Sequence, residues 1–151
     1  MRPSALVLLS LVLAGPPIHA EDAPKPAAPS GDEIASFALE GFDLGSIQAF
    51  AFAPDIGTCL VDLTMSLGPL GILAVEEGHP PDVIADCATV AVEGEARGAT
   101  DLRMTTVSLS DPRTHLIVWC GSDASTDAEP PVMVQRVVDR LRADRAAQAR
   151  P

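Results

Sequence analysis

Alternation of apolar and polar residues is the plainest pattern along the chain. Over residues 58–67, Cys59, Val61, Leu63, Met65 and Leu67 occupy every second position, with Thr58, Asp62, Thr64 and Ser66 between them, broken only by Leu60. A period of two predicts a strand with one dry face and one wet face. Gly68 and Pro69 mark a turn. Residues 70–75 are apolar without a clear period, which suits a returning partner strand buried on both sides. A second pair of runs, 102–109 and 114–120, is rich in β-branched and aromatic residues and predicts a hairpin. Its joint is Ser110-Asp111-Pro112-Arg113. Pro112 sets its own φ, and Asp111 can accept from the backbone just after it. The second arm carries the single Trp, Trp119, and Cys120, so it is expected to be a central, buried strand.

Elsewhere the period lengthens. Val83, Ile84, Cys87, Ala88, Val90 and Ala91 share one face of a helix predicted over about 82–93, opposite Asp82, Asp86 and Glu93. The loop 76–81 leads into it, and Pro80 and Pro81 suit a first turn. Val134, Val137, Val138 and Leu141 predict a helix over about 132–147, with its Arg residues mostly off the apolar stripe. Residues 95–101 and 121–131 are expected as polar loops. Before residue 54 the signal is mixed: a short helix or irregular segment to about Leu39, then a strand near 47–53. The expected fold class is α+β: a single small domain with a mainly antiparallel sheet and two helices, about 82–93 and 132–147.

The first twenty residues change the picture of where this domain works. Arg2 precedes an apolar run, residues 5–14, interrupted by Ser10; Gly15-Pro16-Pro17 breaks it, and Ile18-His19-Ala20 fits a cleavage site. This is the layout of a secretory signal peptide cleaved after Ala20. The run is about half the ~20 apolar residues of a membrane helix, and no later stretch approaches that length. Residues 21–31, with Pro24, Pro26 and Pro29, read as a flexible leader, so the folded domain is expected over 32–148. One Lys, no Tyr and no Asn among abundant Ala, Pro, Gly and Arg suggest a GC-rich bacterial source. The expected location is periplasmic or extracellular.

Charge narrows the partners. The chain carries a net −11, and the Arg-rich segment after residue 131 is the one basic stretch. An acidic body repels phosphate backbones, so nucleic acid is not an expected partner. The expectation is an unknown protein or small-molecule partner and a monomer or dimer.

Three cysteines are an odd number for an oxidising compartment. The three possible pairings have similar entropic worth, about 3.6–4.3 kcal/mol. The expected bridge is Cys87–Cys120, tying the first helix to the central strand, with Cys59 left as a buried free thiol or an intermolecular bridge. Cys59, with His115 or with Met65 and Met104, could make a thiol-redox or copper(I)-type metal site, and His79 is a further His. However, the sequence has no Cys-x-x-Cys, His-x-His or Met-x-x-Met spacing, and His115 is expected on the face of Ile117 and Trp119. No nucleophile elbow, phosphate loop or dinucleotide fingerprint is present. No catalytic, cofactor or metal residue is assigned, and none of the expected chemistry requires a cofactor. The expected function is a small exported binding or accessory protein without catalysis. Its candidate surface is the polar face with Asp62 and Thr64, or the acidic loop with Asp123 and Asp127. The thiol-redox or metal-handling protein is the alternative.

Overall fold

The structure is a computed structural model and describes residues 34–55, 59–93 and 101–151. The expected signal peptide, the leader and most of the 95–101 loop lie outside the described residues.

The longest hydrogen-bonded unit is a three-strand meander. Strand β4 (Val83–Val92) pairs antiparallel with β5 (Leu102–Ser110), and β5 with β6 (Ile117–Ser125). The hairpin turn between the last two works as the sequence implies. Asp111 Oδ1 accepts from the backbone N–H of Arg113 at 2.7 Å and of Thr114 at 3.1 Å. Those two bonds hold the Asp111 carboxyl below the usual carboxylate range. His115 adopts φ 59, so it is an exposed turn residue and not part of the Trp119 face. The second arm accordingly starts at Ile117 and runs to Ser125, replacing the first half of the loop expected over 121–131.

Three further strands complete a six-stranded sheet. β1 (Ala35–Ala38) pairs antiparallel with β6, where a short helix or irregular segment is expected from the sequence. β2 (Ala49–Phe52) lies inside the expected strand and pairs parallel with β4. β3 (Leu73–Ala74) pairs parallel with β2 at the far edge. The order is β1-β6-β5-β4-β2-β3. Thus residues 70–75 do contain a strand, but it is an exposed edge and not the buried return of a hairpin.

The two helices stand where packing puts them. α1 (Leu60–Leu67) occupies the segment expected as a strand. Its buried positions are Leu63, Ser66 and Leu67, with Cys59 just before them, a helical spacing. Val61 and Met65, which completed the apparent alternation, are 66% and 73% exposed. Conversely, the helix expected over 82–93 is β4. There Val83, Ala85 and Cys87 alternate into the core, and Val83, Ile84, Thr89, Val90 and Val92 supply strand-favouring β-branched side chains. Asp82 caps no helix; its Oδ2 accepts from Gln48 N and Ala49 N, both at 2.9 Å, and so holds the start of β2. The second helix falls where expected, as α2 (Pro130–Gln148), with Met133, Val134, Val137, Val138 and Leu141 fully buried. The class is therefore α+β: one mostly antiparallel sheet with two helices in a single small domain.

The core lies between the helices and one face of the sheet. Val107, Leu109, Val118 and Trp119 meet Val134, Val137, Val138 and Leu141 there. A register shift opposite Leu109 and Ser110 lets both Val118 and Trp119 enter the core. Trp119 Nε1 donates to Asp144 Oδ2 on α2 at 2.9 Å, so its one polar group is satisfied. Gly121 makes room for this ring. A Cβ there would stand 2.5 Å from Trp119 Cη2 and 2.9 Å from Val137 Cγ1.

The disulfide joins Cys59 to Cys87, with Cα atoms 5.9 Å apart, and Cys120 is the free thiol. This differs from the expected Cys87–Cys120 pair for a clear reason. Cys87 points from β4 into the core toward the start of α1, whereas Cys120 and its β5 register partner Ser108 face the other side of the sheet.

Candidate functional site: the uncovered face of the sheet

Both helices pack on one side of the sheet, and no described element packs on the other. Strand register defines the second face row by row. One row runs Asp86, Ser108, Cys120, Phe37, and the next runs Ala88, Thr106, Ser122, Ala35. Further along, Val90 lies beside Met104 and Ala124, and Val92 beside Leu102. These side chains alternate with the core positions because successive residues of a strand point to opposite faces.

The rows share a chemistry. Their middle is small and weakly polar, with Thr106 Oγ1 and Ser122 Oγ hydrogen-bonded at 3.0 Å. Their margins are large and apolar: Phe37 is 54% exposed, Val90 47% and Met104 40%. Asp86 is the single charged side chain on these rows. Cys120 is half-buried among them, and burial pushes its thiol pKa up, which makes it a poor nucleophile.

The residues singled out from sequence do not gather into one surface. Asp62 and Thr64 lie on α1, and Thr64 Oγ1 donates to its own helix at Leu60 O. Asp123 is buried on the core side of β6, with Oδ2 3.6 Å from Arg136 Nη1 and no hydrogen-bond partner. Asp127 is exposed, and its Oδ1 accepts from Ser125 Oγ at 2.9 Å. Cys59 is consumed by the bridge to Cys87, so it is not the free thiol on which the redox or metal alternative relies. Met65, Met104, His79 and His115 sit on separate elements. Among the described residues no three His, Cys, Asp or Glu side chains come together to hold a metal ion. No described helix is long and apolar enough to cross a membrane.

Sequence reasoning passed over Phe37 and Val90 as surface residues and weighed Met104 only as a metal ligand. A usable signal existed in the 102–109 run, where Met104, Thr106 and Ser108 alternate with buried Thr105, Val107 and Leu109. Reading 82–93 as a helix hid the matching row on β4.

The Arg-rich helix is fastened to the body. Arg140 Nε donates to Ser36 Oγ at 2.8 Å and pairs with Asp144 Oδ1 at 3.1 Å. Arg145 Nη1 donates to Leu70 O at 3.0 Å, and its Nη2 reaches Gly45 O and Ile47 O.

No protein-family model and no curated protein matches the chain. Among solved structures, a PDZ domain protein from Parabacteroides distasonis is similar at 11% identity and a TM-score of 0.55. That match covers 78% of this chain and 36% of the other, so this chain spans about a third of that protein. Two PelC dodecamers from Paraburkholderia phytofirmans are also similar. One is a variant at 12% identity and a TM-score of 0.46, covering 79% of this chain and 98% of that one. The other has 10% identity and a TM-score of 0.47, covering 79% and 99%. At these identities the likeness concerns fold alone.

Proposed function

We propose that the protein is a small exported binding or accessory protein without catalysis, periplasmic or secreted, which holds a protein partner against the uncovered face of its sheet. The observation that carries this reading is the single charge, Asp86, on those rows, in a chain whose net charge is −11. Large exposed apolar side chains of the kind that mark interaction sites stand at the margins of this face, Phe37 at one and Val90 with Met104 at the other. Interfaces are enriched in aromatic residues and Met and depleted in charge toward their centre, and this face has Phe37 and Met104 with a middle that is small and uncharged. The net charge of −11 favours a basic partner over a second copy of this chain. The Cys59–Cys87 bridge agrees with an oxidising compartment.

A photo-crosslinking residue placed at Phe37, at Met104, or at exposed Gln135 on α2 tests this in the exporting cell. The expected result is one discrete protein adduct from the first two positions and none from the third. The adduct should vanish when Val90→Glu is added. The captured protein, once purified, should bind more weakly as salt rises. Equal adducts at all three positions, or none at Phe37 and Met104, would overturn the proposal.

A further inference from the structure

At the opposite margin of the sheet the edge strand β3 lies beside an open cleft of about 540 Å³. That volume falls in the ~300–1,000 Å³ range of small ligand sites. Its walls are mostly apolar, with Ile47, Leu70, Leu73 and Val75 among them, and Arg145 is its one charged residue. Two features of this cleft keep binding capacity beyond what the fold uses.

The first is backbone. Leu73 N donates to Gln48 O and Val75 N to Phe50 O, both at 2.9 Å, so these alternate groups are spent on β2. In a parallel ladder the intervening residue directs its N–H and C=O the other way. Ala74 therefore presents both groups along the outer edge, with no strand beyond it among the described residues. The second is charge. Arg145 is held by three backbone carbonyls and makes no ion pair among the described residues. A guanidinium has five N–H donors, so these three contacts leave others unused.

We infer that this cleft binds the C-terminal end of an extended apolar peptide, added as a strand along β3 with its terminal carboxylate at Arg145. Geometry sets the direction. The carbonyls that hold Arg145 belong to Gly45, Ile47 and Leu70, which precede β2 and β3. The charge thus lies where both strands begin. A peptide ending there runs antiparallel to β3, and its upstream residues pass Val75 toward a second cavity of about 360 Å³. Ala49 and Val75 line both cavities, and the second also includes Glu76 and His79. Backbone pairing would supply affinity, the apolar walls would select side chains, and the guanidinium would demand a carboxylate. This site is separate from the uncovered sheet face, and either reading can fail without the other.

The test uses the full exported protein and a pool of fluorescein-labelled hexapeptides of mixed apolar sequence with free C-terminal carboxylates. The same pool with amidated C-termini is the comparison. Anisotropy should show saturable binding of the acid pool and at least about tenfold weaker binding of the amide pool. Arg145→Gln should abolish that preference. Because Arg145 also holds three loop carbonyls, Ala74→Pro provides a second variant. It removes an N–H that no described backbone group accepts, at an edge position where Pro is tolerated. It should weaken the acid pool at least tenfold while the thermal midpoint is kept. Equal binding of acid and amide pools, no binding of either, or binding indifferent to a folded Ala74→Pro would overturn the inference.

Discussion

The two faces of the sheet are made by the same strands and follow different rules. On β4, Val83, Ala85 and Cys87 are buried, whereas Asp86, Ala88 and Val90 between and beyond them are exposed. On β5, Thr105, Val107 and Leu109 are buried, whereas Met104, Thr106 and Ser108 are not. Strand propensity is shared by both sets, so it does not decide which side gains cover. The helices do. The core face is constrained by volume, as the space at Gly121 shows. The uncovered face is constrained by the pleat and by whatever docks on it.

The largest expected effect therefore lies at Trp119. Trp119→Ala empties a fully buried site and takes away the partner of Asp144 Oδ2, leaving Asp144 paired with Arg140 alone, and should cost about 3–5 kcal/mol in denaturant unfolding. Gly121→Ala tests the same contact by overfilling it and should cost about 1–3 kcal/mol. If both variants unfolded at the wild-type midpoint, the core face would be no more tightly specified than the open one.

Next comes the bridge that fastens α1 to β4. Replacing Cys59 and Cys87 together by Ala should cost about 2–4 kcal/mol. Intact mass after non-reducing alkylation should show one bridge and one labelled thiol. A label on Cys59 would break the assignment of Cys120 as the thiol of the open face. A smaller effect attaches to Asp123, a buried carboxylate whose partner Arg136 is 44% exposed. Arg136→Ala should cost about 1–3 kcal/mol, below the loss for a fully buried pair because water reaches the guanidinium. Adding Asp123→Asn should recover part of that loss. A double variant no more stable than Arg136→Ala alone would mean that the unpaired Asp123 carboxylate is not the source of that loss.

These contrasts explain how far the fold was legible in the sequence. The hairpin with its Asp111 turn, the strand at β2 and the apolar stripe of α2 were legible because local chemistry and burial agree in each. Residues 60–67 misled because exposed Val61 and Met65 stand at the positions a strand would bury. Residues 83–92 misled because apolar Ala88, Val90 and Ala91 fall on the open or outer part of β4, so apolarity there does not report burial. The disulfide followed from those two errors, since pairing depends on which face each Cys occupies. The β4 side of the uncovered face was hidden for the same reason, since an exposed apolar row looks in sequence like core, although the alternation on β5 was there to be read.

Substitutions on that face give a small effect that sharpens the comparison. Phe37→Ser and Met104→Gln remove exposed apolar surface and should each change stability by less than about 0.5 kcal/mol, measured by thermal unfolding. Losses like those of Trp119→Ala would show that something in the intact chain already covers the face. The smallest effect concerns the thiol in the same rows. Burial favours the neutral form of Cys120, so its folded pKa lies above the ordinary 9.0. A raised pKa stabilises the fold fully below the unfolded value, and that contribution fades as pH rises through the folded value. Near pH 8 the native protein should therefore alkylate at Cys120 more slowly than the same thiol in denaturant, and its rate should level off only at a higher pH than that of the denatured thiol. Equal rates in the two states would place Cys120 in open water and make this face wetter than its neighbours Phe37 and Ser108 imply.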